Sequence, residues 1–163
     1  MKKNFTFSYN EINHSSALLD SEKKIIERAT DVMMSSYSPY SNFRVGAALM
    51  LEDGSIVVGS NQENASFPCG ICAERVAVFS ASTNFPNLRI KTIAITAKSK
   101  NFDIMDPVGP CGACRQVLLE YEEKQNSNIE ILLFDMKKIV KIKRAKDLLP
   151  LYFQENKLKK QPY

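Results

Sequence analysis

Phe67-Pro68-Cys69-Gly70-Ile71-Cys72-Ala73-Glu74-Arg75 and Gly109-Pro110-Cys111-Gly112-Ala113-Cys114-Arg115-Gln116 hold all four cysteines of the chain, as two Cys-x-x-Cys pairs. Each pair ends where an apolar helical pattern begins. A thiol in the first turn of a helix feels the positive end of the macrodipole, and the arginine that follows each pair adds a second positive group, so thiolate is favoured at both places. Clustering of this kind points to metal or redox chemistry more than to a disulfide framework. A soft, sulfur-rich donor set suits Zn²⁺.

The flanking sequence reads as alternating helices and strands. Asp20 or Ser21 can cap a helix to about Ser35, with Ile25, Ile26, Ala29, Val32 and Met33 on its apolar face. Ser38-Pro39-Tyr40-Ser41-Asn42 breaks it. Residues 45–51 and 55–59 form a hairpin about Glu52-Asp53-Gly54, because Asp-Gly between apolar runs favours a tight turn. A helix from Cys72 to about Ser82, a β-branched strand over 91–97, a helix over 112–124, strands over 129–134 and 139–142, and a short helix near 145–149 complete the pattern. Such alternation predicts an α/β sandwich around one mixed sheet. Residues 1–19 lack a sustained period and read as an N-terminal arm, and residues 154–163 as a tail whose Lys157, Lys159 and Lys160 form a solvated end.

At 163 residues the chain is long enough for one domain with a substantial core. With 44% hydrophobic and 25% charged residues, fibrous and wholly disordered classes are disfavoured. The 22 Lys and Arg against 18 Asp and Glu leave a net charge of +4, short of the basic stripe of a dedicated nucleic-acid binder. No run approaches a membrane span, and Met1-Lys2-Lys3 is not followed by an apolar signal segment, so a cytoplasmic protein with reduced thiols is expected. The single histidine, His14, lies in the polar arm, which strains any reading that needs Ser-His-Asp, Cys-His or two-histidine metal chemistry.

Spacing alone leaves two readings of the cysteines. Two Cys-x-x-Cys pairs suggest a closed Cys₄ structural zinc site in a protein that binds a partner without catalysis. Against it, Glu74 follows Cys72 on the same first helical turn, where a carboxylate can reach the open face of a metal. The 39 positions between Cys72 and Cys111 also exceed the span of small zinc ribbons.

Cys72-Ala73-Glu74-Arg75 with Pro110-Cys111-Gly112-Ala113-Cys114-Arg115-Gln116 resembles the paired zinc motifs of the cytidine deaminases, in their small three-cysteine, usually homotetrameric form. Tyr37 to Ala48 is similar to the opening segment of that family, Asn61-Gln62-Glu63-Asn64-Ala65 to its sugar-binding segment, and Leu148-Leu149-Pro150 with Phe153 to its C-terminal motif. The resemblance covers residues 20–153. It implies a three-layer α/β/α sandwich around a mixed five-stranded sheet, and one Zn²⁺ per chain on Cys72, Cys111 and Cys114, with Cys69 an unbound thiol that is buried or partly buried. It also implies a homotetramer with active sites shared between subunits, and hydrolytic deamination of cytidine and deoxycytidine to uridine products with release of ammonia in pyrimidine salvage.

By the same resemblance Glu74 is the catalytic acid and base, Asn61 and Glu63 hold the ribose hydroxyls, Ala65 belongs to that sugar segment, the Ala73 backbone meets the base, and Phe43 packs against the substrate. Phe153 stacks on the base from a neighbouring subunit. Phe67 stands where the family often has tyrosine, so a hydroxyl contact there is in doubt. Three thiolates on Zn²⁺ leave a formal charge of −1, and donation to sulfur from Arg75, Arg115 and the helix N-terminal amides is the expected remedy. Within the same chemistry stand a modified cytosine nucleoside and cytosine in a nucleic acid. The second needs a basic or aromatic channel, of which the sequence offers only the tail.

Overall fold

The computed structural model describes residues 1–13, 17–154 and 158; His14 and the tail lysines Lys157, Lys159 and Lys160 lie outside them. In chain order the elements are β1 (Asn10–Ile12), α1 (Asp20–Met33), β2 (Phe43–Leu51), β3 (Ile56–Ser60), α2 (Ala73–Asn84), β4 (Ile90–Ser99), α3 (Gly112–Lys124), β5 (Glu130–Phe134) and β6 (Ile139–Ile142). Single 3₁₀ turns lie at Phe67–Cys69 and Ala145–Leu148.

The strands form one mixed sheet in the order β1-β6-β5-β4-β2-β3. Only β4 and β5 run parallel, joined by a crossover through α3, and the other neighbours are antiparallel. Alternation along β2 explains the layers: Ala47, Leu49 and Leu51 enter the core that α2 and α3 cover, whereas Ala48 enters the core under α1. Helices therefore flank both faces, as the resemblance implied. Two glycines allow the helices to lie close. A Cβ on Gly46 would stand 2.0 Å from the Ala29 carbonyl oxygen of α1, and one on Gly59 would stand 2.5 Å from that of Ala73 in α2. The second approach seats the start of α2 against β3.

The sheet has six strands, not five. The extra one comes from the arm, where Asn10, Glu11 and Ile12 pair with Lys141, Val140 and Ile139. The open edge of β6 offers unpaired amides and carbonyls, and three residues of the arm satisfy them, a stretch too short to show period-two alternation in sequence. Helix α1 also starts differently from expectation. Leu19 occupies the cap position, and the Glu22 carboxylate reaches back to accept the Leu19 amide at 2.8 Å. The segment near residue 145 is a 3₁₀ turn held by the buried Glu122, whose carboxylate accepts the amides of Ile129, Ala145 and Lys146. Among the described residues no helix is long and apolar enough to cross a membrane.

Candidate active site

Three segments converge at one end of the sheet. The Gln62 and Ile71 backbones bond each other in both directions at 2.9 Å, the Tyr37 amide donates to the Asn61 carbonyl, and the Glu63 amide donates to the Tyr37 carbonyl. This clamp brings 61–63 beside the residue that opens α2. Cys72 caps α2 and Cys111 caps α3, so both sulfurs stand at helix N-termini, and Cys114 lies one turn into α3.

The sulfurs of Cys72, Cys111 and Cys114 lie within 4.8 Å of one another. Cys72 and Cys111 are 3.8 Å apart and Cys111 and Cys114 are 3.5 Å apart. Two Zn–S bonds of about 2.3 Å at a tetrahedral angle place their sulfurs about 3.8 Å apart, so the donor set fits zinc in both chemistry and spacing. Cys69 is not a member of the group, and it is exposed instead of buried or partly buried as expected, because the 3₁₀ turn that carries it buries none of its residues; its sulfur lies 3.5 Å from the Ser66 hydroxyl.

Electrostatics favour the anionic donor. Hydrogen bonding with Cys114, and then the Arg75 guanidinium at 3.6 Å, lower the Cys72 pKa to about 5. The same bond and burial push the Cys114 thiol up. Glu74 is 4% exposed, and burial raises its carboxyl above the ordinary value, as suits a group that must both take and give a proton near neutrality. Arg115 does not donate to sulfur. Its Nε donates to the Pro110 carbonyl and its Nη1 to the Leu148 carbonyl, so it holds the loop that carries Cys111.

A cavity of 310 Å³ opens on this cluster, lined by Phe43, Val45, Asn61, Gln62, Glu63, Gly70, Ile71, Cys72, Glu74, Ile95, Val108, Gly109 and Cys111. Its volume falls in the range of small-molecule sites, and its lining contains no Lys or Arg to receive a phosphate. Asn61 accepts the Val45 amide and the Ser36 hydroxyl and donates to the Phe43 carbonyl, which fixes its carboxamide at the cavity wall. Glu63 accepts the Ser41 hydroxyl and the Tyr40 amide, and these bonds hold its carboxyl below the usual carboxylate range. Ala73 is fully buried at the first turn of α2.

Four expected substrate-binding residues are absent from the lining of this cavity: Ala65, Phe67, Ala73 and Phe153. Phe67 and Glu63 line a neighbouring cavity of 440 Å³ with Tyr40, Ser41, Asn64 and Gly70, and Ala65 is exposed beside it in sequence. Phe153 is 70% exposed, with its carbonyl held by Gln116. Of the lining residues that sequence reasoning did not single out, Gln62 and Ile71 follow from the clamp. Ile95, Val108 and Gly109 carry no local signal, since only the crossover brings them here.

Residues 19–127 match the family model described as "Cytidine and deoxycytidylate deaminase zinc-binding region". A cytidine deaminase of Sporosarcina psychrophila is 37% identical over 136 residues, which is 83% of this chain and 93% of that protein. One from Halalkalibacterium halodurans is 45% identical over 96 residues, 59% of this chain and 68% of that protein. The crystal structure of cytidine deaminase from Burkholderia pseudomallei superimposes with a TM-score of 0.68 at 39% identity, covering 80% of this chain and 98% of that one. With its three-sulfur group, buried carboxylate and matched region together, the chain belongs to the cytidine and deoxycytidylate deaminase zinc-binding family.

Proposed function

We propose that the chain is a zinc-dependent hydrolase that replaces the C4 amino group of cytidine and deoxycytidine by oxygen and releases ammonia, in pyrimidine salvage. The observation that carries this reading is a buried carboxyl group, Glu74, lining one small-molecule cavity together with two of three clustered cysteine sulfurs. Cys72, Cys111 and Cys114 hold one Zn²⁺, which supplies the Lewis acidity that makes a water nucleophilic at neutral pH.

The remaining chemistry belongs to the chain. Glu74 takes a proton from the attacking water and gives it to N3, which makes C4 more electrophilic. It passes the second proton to the departing amino group, which leaves as ammonia while C4 keeps the water oxygen as a carbonyl. Arg75 donates to Cys72 and offsets part of the thiolate charge. Asn61 and Glu63 hold the ribose hydroxyls beside Ala65, the Ala73 backbone meets the base, Phe43 packs on it, and Phe67 closes the sugar side. In this reading the domain spans 20–153, with the arm and tail flanking it. The protein works in the cytoplasm as a homotetramer in which Phe153 completes a neighbour's site. A cavity without Lys or Arg supports a nucleoside over a nucleic acid.

The test is the ultraviolet absorbance of cytidine with the zinc-loaded protein, beside Glu74→Ala and beside a cytosine-containing oligonucleotide. Loss of the cytidine band with wild type is expected, with turnover lower by about 10²–10⁴-fold in Glu74→Ala at unchanged zinc content. Wild-type turnover by Glu74→Ala would overturn the mechanism.

A further inference from the structure

The loop from Lys100 to Pro110 joins β4 to α3 and touches the cavity wall at both ends. At its start the Lys100 amide donates to the Asn42 carbonyl at 3.2 Å and Asn101 Nδ2 donates to the Ser41 carbonyl at 3.0 Å. Next in sequence, the Phe102 ring stacks on Phe43, with centroids 6.1 Å apart and planes 21° apart. At its far end Val108 and Gly109 line the cavity itself.

The segment gripped in this way, 41–43, carries two parts of the binding surface: the Phe43 ring, and the Ser41 hydroxyl and amide that hold Glu63. Asn42, between them, has φ +53°, a left-handed turn conformation that asparagine adopts readily. Phe102 is 58% exposed, so its ring contributes little to the core. Its stacking partner is a cavity-lining ring at the first residue of β2.

We propose that Phe102 is a positioning residue for nucleoside binding, acting through Phe43 and, with Asn101, through the Ser41 support of Glu63. A ring already held against Phe102 loses less rotamer freedom when a nucleoside packs on it, so the stack favours binding and leaves the proton transfers at Glu74 untouched. This inference rests on the deaminase reading above.

The experiment compares wild type, Phe102→Ala, Phe102→Tyr and Asn101→Ala, each zinc-loaded, by steady-state kinetics with cytidine and by calorimetric titration with uridine. Phe102→Ala is expected to raise KM and the uridine Kd by roughly 2- to 12-fold, the range set by loss of one stacked pair, with kcat within about twofold. Phe102→Tyr restores both, and Asn101→Ala moves them in the same direction. A Phe102→Ala enzyme with unchanged KM and Kd, a fall in kcat alone, or no rescue by Tyr overturns the proposal while the deaminase reading stands. A wild-type protein that neither binds uridine nor turns over cytidine overturns both.

Discussion

Arg115 Nε donates to the Pro110 carbonyl at 2.8 Å, so a residue of helix α3 grips the loop residue just before the Cys111 metal donor. The same guanidinium reaches the Leu148 carbonyl at 3.1 Å, which ties that loop to the C-terminal segment. Lysine has one ammonium in place of a planar fork and cannot reproduce both bonds in this geometry. Arg115→Lys and Arg115→Ala are therefore expected to weaken zinc affinity by about 10–100-fold, the usual effect of removing a group that orients a ligand, without abolishing folding. Competition with a chromogenic zinc chelator measures this, and wild-type affinity in Arg115→Ala would refute the role.

Cysteine substitutions separate a three-sulfur from a four-sulfur site. Cys69 bonds Ser66 and lies outside the sulfur cluster, whereas Cys111 is within 3.8 Å of Cys72 and 3.5 Å of Cys114. Cys69→Ser is expected to retain about one zinc per chain and most activity, and Cys111→Ser to lose the metal. Equal zinc loss in the two variants, read by elemental analysis, would restore the Cys₄ reading.

The pattern of these contacts shows what the sequence made legible. Strands β2 to β6 and helices α1 to α3 carry their own periodicity, and Asp53-Gly54 announces its turn, with Gly54 at φ +88°. The two cysteine pairs were readable because their spacing is local to two helix starts, whereas the choice of Cys72, Cys111 and Cys114 over a four-sulfur set came from the resemblance. Strand β1 was not, because three residues pair only where β6 leaves an edge open. Glu122 looked like any polar position on a helix, yet it is 4% exposed and accepts three amides from two later segments. Arg115 was expected near sulfur, and only the return of the chain at Leu148 shows why it turns toward carbonyls. Phe102 lies in a loop without period, and its stack on Phe43 depends on the β2–β4 pairing.

Glu22 and Lys141 form a partly buried ion pair that joins the start of α1 to β6, with Glu130 3.1 Å from the same ammonium. Burial alone would raise the Glu22 pKa, but Lys141 and the Leu19 amide outweigh it and bring it below the ordinary 4.5. A carboxyl depressed in the folded state contributes stability that is present above pH 4.5 and lost as pH falls through the folded value. Lys141→Met should cost about 1.5–3 kcal/mol at pH 7, the range for a lost hydrogen bond to a charged group. Its deficit against wild type should shrink as both are acidified below the Glu22 titration. Urea unfolding at neutral and acid pH measures both, and a deficit independent of pH would show that Lys141 acts through packing alone.

Phe153 is 70% exposed and is absent from the lining of its own cavity. Gln116 of α3 donates to its carbonyl at 2.9 Å, which ties the backbone beneath the exposed ring to the helix. If this ring completes the site of a neighbouring subunit, two defective chains repair each other. Glu74→Ala lacks the acid and base but supplies a normal Phe153, and Phe153→Ala supplies a normal Glu74. Each alone is expected to be weakly active. Unfolded together and refolded as hybrids, they should recover activity at roughly a quarter of the sites, those in which a Phe153→Ala cavity meets an intact Phe153 from a Glu74→Ala neighbour in a symmetric oligomer. Light scattering on the same samples reports the assembly. Hybrids no more active than the sum of their parents, in a confirmed oligomer, would place Phe153 outside the shared site.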